Sequence, residues 1–348
     1  MPAKRDTAID ALRGLAIVFV VLGHAILDSA GLANGGPTPI ELNPGVLNPL
    51  VSLSYAFQVP LLVFVAGYVF WRPVPESART RLLSRVRGLA VPYFAWFFVF
   101  YAVDVVVGLP HATLPHEAEG VLVNSTAPDA LWFLYALFIC SLVLLIVERL
   151  PGTRWTLPLS ALLCMIAWGE LPWRTTLFAA TEALWLYPFI AFGYLVAQHR
   201  EAVLRRKTAV ACVALPLFAV LAWVQYPMQL PARSRLAVFD ALLNRWHIPG
   251  GFTVTFYTCA FAAALGLFAL YAMLPQAALA PQAWVGRRTL GVYATSELFA
   301  SGLVLAGVRA WPVMFVLALA GSLVLTLALE RTQITRTLLL GQRWRRRT

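Results

Sequence analysis

The sequence predicts an all-α, polytopic integral membrane protein of about ten transmembrane helices, with both termini cytoplasmic. Three observations carry that reading. Of the 348 residues, 60% are hydrophobic and only 12% are charged, about half the charge of a soluble domain. Ten apolar segments follow one another, at 9–28, 50–71, 89–108, 130–148, 156–171, 180–198, 208–225, 250–273, 284–307 and 310–330. Each is about long enough to cross a ~30 Å hydrocarbon core. Of the 27 Lys and Arg residues, 22 fall on one side when the loops alternate, leaving Arg174, Arg233, Arg235, Arg245 and Arg309 on the other. That asymmetry marks the cytoplasmic side and puts both termini there. A net charge of +11 would suggest nucleic acid in a soluble chain; here it follows from basic cytoplasmic loops, and no nucleic acid is expected.

The first segment, Asp10-Ala-Leu-Arg-Gly-Leu-Ala-Ile-Val-Phe-Val-Val-Leu-Gly-His-Ala-Ile-Leu-Asp28, is apolar yet carries Arg13 and His24 with ten residues between them. Eleven steps of ~100° make about three turns, so both lie on nearly one face, ~16 Å apart along the axis. Asp10 and Asp28 fall within roughly 40° of that face. Ionisable groups inside a spanning helix cost ~2.5 kcal/mol or more each at the centre, and by default they mark a site. The plain alternative has Arg13 snorkelling to the inner surface and His24 packed and hydrogen-bonded. No run of small residues after the segment resembles a cleavage site, so a retained helix is expected rather than a signal peptide.

The remaining elements read as one membrane-embedded domain over residues 1–348, with a core at 9–330 and a basic cytoplasmic tail at 331–348. The Gly/Pro/Asn-rich stretch 31–49 is a loop by composition. In the second segment Pro60 frees a backbone carbonyl, and Gln58 can bond into the interior. Arg79, Arg81, Arg85 and Arg87 crowd ahead of the third, where they either grip phosphates or simply hold the topology. Trp132 and Tyr135, three apart in the fourth, share a side. Glu297 lies deep in the ninth beside Ser296, able to stay neutral, pair with an arginine or orient the histidine. Asp104 and Glu182 sit at segment ends, as interfacial residues do. Residues 233–246 in the longest outer connection have the spacing of an interfacial helix. Cys140, Cys164, Cys212 and Cys259 all fall in apolar segments without metal-ligand spacing, which fits small core residues. The tail from Arg343 onward suits anionic inner-leaflet lipids.

His24 stands ~22 Å above Ile9, toward the outer half of the core. A neutral imidazole is the natural general base at physiological pH. Asp28, one turn on, can fix its tautomer as carboxylates do in hydrolytic triads. No Ser or Cys motif supplies a nucleophile, no HExxH a metal and no Gly-rich loop a nucleotide, so no metal cofactor is expected. What is left is direct attack by an acceptor hydroxyl, deprotonated by histidine, on an activated carbonyl.

Several stretches together resemble the membrane-bound acyltransferase family 3, whose members O-acylate bacterial surface glycans and macrolides. The first segment matches the family's Arg, ten residues, His pattern. Val59-Pro-Leu-Leu-Val-Phe-Val-Ala-Gly-Tyr68 resembles its V-P-x-F-F-x-x-S-G-Y element, and Arg85-Val-Arg-Gly-Leu-Ala-Val-Pro-Tyr93 its basic run into Pro-Tyr. Leu131-Trp-Phe-Leu134 and Tyr187-Pro-Phe-Ile-Ala-Phe-Gly193 resemble two more elements, and the whole spans residues 9–330. There are two departures. Ala66 stands where Ser is usual, and Ser296 where His is common, which raises the interest of Glu297.

The resemblance implies acyl-CoA, with acetyl-CoA the expected donor, entering from the cytoplasm, and essential roles for Arg13 and His24. It further implies a multi-pass protein of the bacterial cytoplasmic membrane that modifies the cell envelope. The expected reaction moves an acyl group to a hydroxyl of a glycan or lipid-linked sugar. His24 is the base assisted by Asp28 or Glu297, while Arg13, Arg85, Arg87, Gln58, Trp132, Tyr135 and Ser296 are the expected substrate contacts. Acylation of a small metabolite such as a macrolide is the nearest rival, then a polysaccharide exporter or flippase. An exporter calls for pore-lining charges on several helices, and this chain concentrates them on one. No esterase-like domain follows the last helix of this sequence, so a final relay is expected to need a separate partner.

Overall fold

A computed structural model describes residues 6–30, 49–72, 76–108, 131–170, 179–224 and 251–343. Among these residues every regular element is helical. In order they are α1 (Thr7–Ser29), α2 (Pro49–Phe70), α3 (Ala78–Arg85), α4 (Val91–Val107), α5 (Trp132–Val147), α6 (Thr153–Glu170), α7 (Ala180–Gln198) and α8 (Arg200–Arg205). Then come α9 (Lys207–Val224), α10 (Gly251–Tyr271), α11 (Gln276–Gly286), α12 (Thr289–Leu305), α13 (Trp311–Leu329) and α14 (Gln333–Leu338). Seven helical runs are long and apolar enough to cross a membrane: α1, α2, the continuous stretch Ala78–Val107, α7, α9, Val254–Tyr271 and α13. Three shorter apolar helices accompany them, at Trp132–Val147, Arg154–Ala167 and Thr289–Leu305. The chain is a polytopic membrane protein. Its surface agrees, with Val106 85% exposed and Leu305 78%, which only a lipid-like surrounding makes favourable.

Residues 274–283, between two apolar segments, are expected to form a connection, and most of them are helical instead. Gln276–Gly286 is a helix opened by Pro275, whose fixed φ of −65° suits a helix start. It carries Pro281 in its interior and has only 11 residues, too few to register as a span. Cys212 also departs from expectation, since it is exposed on α9 and not in the core. All four cysteines are free. Of the expected loop at 31–49 only Pro49 is described, and it opens α2 instead; the interfacial helix at 233–246 and the last residues of the basic tail lie outside the described residues.

The chain divides into two compact units. One comprises residues 1–69 and 192–323, the other residues 70–191 and 324–348. In the first, α1 is the centre and packs on α10, α11 and α12, while α9 packs on α10. Asp6 caps α1 by accepting from the Ala8 amide at 3.0 Å. The same carboxylate takes Arg200 of α8 at 3.2 Å. Against α11 the fit of α1 is backbone on backbone. A Cβ on Gly286 would stand 1.7 Å from the Asp10 carbonyl oxygen, and one on Gly14 would stand 2.0 Å from that of Gln282. Only glycine admits such an approach.

In the second unit, α3 runs into α4 through a π turn at Val86–Ala90. Pro92 has no amide to donate and its ring would crowd the carbonyl four residues back, so the widened turn relieves a clash. Arg81 pairs with Glu148 at the end of α5, where both are largely buried, and also donates to the Phe70 carbonyl at 2.9 Å. The Arg81 and Arg85 guanidiniums lie over the Phe70 ring, 4.1 and 4.6 Å from its centre. Tyr93 stacks on Tyr135 at 5.2 Å, and the Trp96 indole donates to the Leu339 carbonyl at 2.9 Å, fastening the segment after α13.

Candidate active site

The site grows from the α1–α12 contact. From Gly14 to His24 is ten residues up α1, and from Gly286 to Glu297 is eleven through the short turn into α12. Both are climbs of ~15–16 Å, so a backbone contact at the bottom brings His24 and Glu297 level at the top. His24 Nδ1 stands 3.5 Å from Glu297 Oε2. Asp28, one turn above His24, completes the group: one ligand atom from each of His24, Asp28 and Glu297 lies within 4.8 Å of the others.

The three are unequally exposed. Asp28 is buried, and its Oδ2 has no hydrogen-bond partner, whereas the His24 side chain is 41% exposed and that of Glu297 22%. An imidazole that is open on one side and held by carboxylates on the other can exchange a proton with a substrate. The hydroxyls next to Glu297 are occupied within α12. Thr295 donates to the Gly291 carbonyl at 2.8 Å and Ser296 to that of Tyr293 at 3.2 Å. The expected substrate contact at Ser296 is thus buried and turned to its own helix.

Helix α2 forms the neighbouring wall. Gly23 lets it approach, since a Cβ there would meet Tyr55 at 3.2 Å, Gln58 Oε1 at 3.5 Å and Ser54 at 3.6 Å. Gln58 is buried opposite Gly23 with Oε1 lacking a hydrogen-bond partner. Tyr55 is close enough to feel the charges of both Asp28 and Glu297. Tyr55 is a site residue that composition does not single out; the signal for it is its place three residues before Gln58 in an apolar helix, on the same face.

A family profile described as an acyltransferase domain matches residues 6–331. The chain belongs to the acyltransferase 3 family. It is therefore a membrane acyltransferase, and the cluster of His24, Asp28 and Glu297 lies within the stretch that the family covers. No curated protein and no solved structure matches this acyltransferase.

The other expected contacts are distributed. Arg13 is half-buried on α1, three turns below His24. Arg85, Arg87, Trp132 and Tyr135 belong to the second unit of the acyltransferase. There Arg85 rests on Phe70, Arg87 is exposed, Trp132 lies 6.1 Å from Trp185 and Tyr135 stacks on Tyr93.

Proposed function

We propose that this acyltransferase takes an acyl group, acetyl first among candidates, from acyl-CoA at the cytoplasmic face. It passes the group to a hydroxyl of a glycan or glycolipid acceptor at a bacterial cytoplasmic membrane. The single observation that carries the proposal is the His24–Glu297 pair, 3.5 Å apart and joined by Asp28. With Nδ1 turned to a carboxylate, the neutral ring holds its proton there and leaves the Nε2 lone pair for the acceptor. Nε2 takes the hydroxyl proton as the oxygen bonds to the thioester carbonyl carbon. The carbon–sulfur bond then breaks, and the departing thiolate recovers the proton from the imidazolium. Glu297 and Asp28 hold the ring and balance its transient charge, as the carboxylate of a hydrolytic triad does.

Arg13, ~16 Å below His24 on the same face, suits the donor. An extended pantetheine arm separates the thioester of coenzyme A from its phosphates by a distance of that order. Arg87 and Arg85 near the start of α4 add phosphate-binding charge. All ten apolar helices span in this reading and both termini are cytoplasmic, on the strength of the basic-residue asymmetry. The test incubates purified protein with radiolabelled acetyl-CoA and candidate glycans, lipid-linked sugars and macrolides. Label should pass to one class of acceptor in the wild type and fall to background with His24→Ala. Hydrolysis without transfer to any hydroxyl compound would defeat the proposal.

A further inference from the structure

We propose that His24, Asp28 and Glu297 also bind a divalent transition-metal cation of the Zn²⁺ class, and that the bound cation holds the enzyme inactive. The sequence shows no metal motif, because the third ligand comes from a helix nearly 270 residues away. The fold supplies it. One imidazole nitrogen and two carboxylate oxygens lie within 4.8 Å of one another, and His24 Nδ1 and Glu297 Oε2 are already 3.5 Å apart. Four-coordinate zinc bonds nitrogen and oxygen at ~2.0–2.2 Å, which separates its ligand atoms by about 3.3 Å. Side-chain rotation of about 1 Å therefore closes the set, leaving the fourth position for water, as in three-ligand zinc sites.

A second, independent feature points to a cation. Asp28 is 5% exposed, and its Oδ2 is buried with no hydrogen-bond donor. An unsatisfied carboxylate oxygen beside a second carboxylate is costly unless positive charge comes between them. Arg13 is three turns away, and the cluster itself joins one imidazole to two carboxylates. When both carboxylates are ionised, they and a neutral imidazole match the charge of a dication. His24 and Asp28 are four apart on one helix, the spacing by which paired helical ligands share a metal. The partly exposed His24 and Glu297 edges give an ion its way in.

The inhibition rests on the reading of His24 as base. A cation on Nδ1 takes the lone pair of that nitrogen and so holds the neutral ring in the tautomer whose single proton sits on Nε2, which leaves the ring no lone pair for the acceptor. The binding half does not depend on that reading, and it is measured separately. Full-length protein in detergent, stripped with chelator, is titrated with Zn²⁺ by calorimetry and with Co²⁺ followed by its visible ligand-field absorption. We expect one equivalent bound by the wild type. Asp28→Asn, nearly isosteric, should weaken binding well over ~100-fold, more than loss of a mere supporting group costs. Glu297→Gln should do the same, and Cys212→Ser, which removes an exposed thiol that could bind zinc on its own, should change nothing. Folding of each variant is checked by size exclusion and thermal unfolding. Absence of binding at micromolar Zn²⁺, or an affinity untouched by both carboxylate substitutions, would overturn the proposal. Zinc that binds as expected in an enzyme whose turnover ignores both zinc and His24→Gln would support the site and remove the base.

Discussion

His24 of α1 and Glu297 of α12 face each other at 3.5 Å, Nδ1 to Oε2, although 272 residues separate them in the chain. General-base assistance is typically worth 10²–10⁴ in rate, or ~3–5 kcal/mol. Gln keeps much of histidine's size but accepts no proton at neutral pH. His24→Gln should lower turnover by roughly that factor while acyl-CoA affinity stays near the wild-type value. Glu297→Gln should cost less, about 10–100-fold, and add little when combined with His24→Gln, because a residue that acts through the ring has nothing to act on once the ring is gone. Additive losses in the double variant would show that Glu297 works independently.

How much of this was legible beforehand depends on the scale of the contact. Helical arithmetic alone put Arg13, His24 and Asp28 on one face, and α1 spans Thr7–Ser29 against the expected 9–28. Glu297 stands out as a charge in an apolar run, but three roles are open to it there: staying neutral, pairing with an arginine or orienting the histidine. Choosing His24 needed the crossing of two helices. That crossing is set by Gly14 and Gly286, which read as ordinary small residues in an apolar sequence, and by α11, too short and proline-interrupted to register as a span. Tyr55 and Gln58 gather at the site for the same kind of reason, since Gly23 admits them. Periodicity tells which side of a helix is special; it does not say which helix will meet that side.

Gly286→Ala tests the crossing. A Cβ 1.7 Å from a main-chain oxygen cannot be accommodated by a rotamer change, so α11 and α1 must part. We expect ~1–3 kcal/mol of lost stability, read as a lower thermal midpoint in detergent. Turnover should fall more steeply than stability, since Glu297 moves away from His24. An alanine variant with wild-type midpoint and turnover would mean that the contact is slack.

Arg81 and Glu148 in the second unit test a different principle. Both are largely buried, so Arg81→Ala takes a cation away from a buried carboxylate and should cost ~3–5 kcal/mol. Replacing both, by Arg81→Met with Glu148→Leu, should restore much of that loss. Thermal unfolding of the two variants decides it. Equal losses would place the effect in the Phe70 contacts of Arg81 and not in the ion pair.

The arginines near the start of α4 should separate by role. Arg87 is exposed, whereas Arg85 rests on Phe70. Arg87→Ala should weaken acyl-CoA binding, measured by calorimetry, without lowering the thermal midpoint. Arg85→Ala should lower both. Unchanged donor affinity in the two variants would reduce these residues to topological charges.

Orientation is open to labelling. A cysteine at Val107, at the end of α4, should react with a membrane-impermeant maleimide in intact cells. One at Arg205 should react only after permeabilisation, as the basic-residue asymmetry requires. Reaction of both from the same side would refute the ten-span reading.

The glycine contact between α1 and α11 has a mechanical consequence. A bilayer changes thickness with composition and temperature, and tilting helices usually absorb the mismatch. Here α1 and the α11–α12 arm are pinned to each other by main chain at one end, and both rise about the same height to His24 and Glu297. If the membrane tilts one, it carries the other along. The two side chains keep their spacing much as the blades of shears keep theirs when the whole tool is turned. Such an enzyme should hold its turnover across lipids of different chain length, within the range its spans can cover.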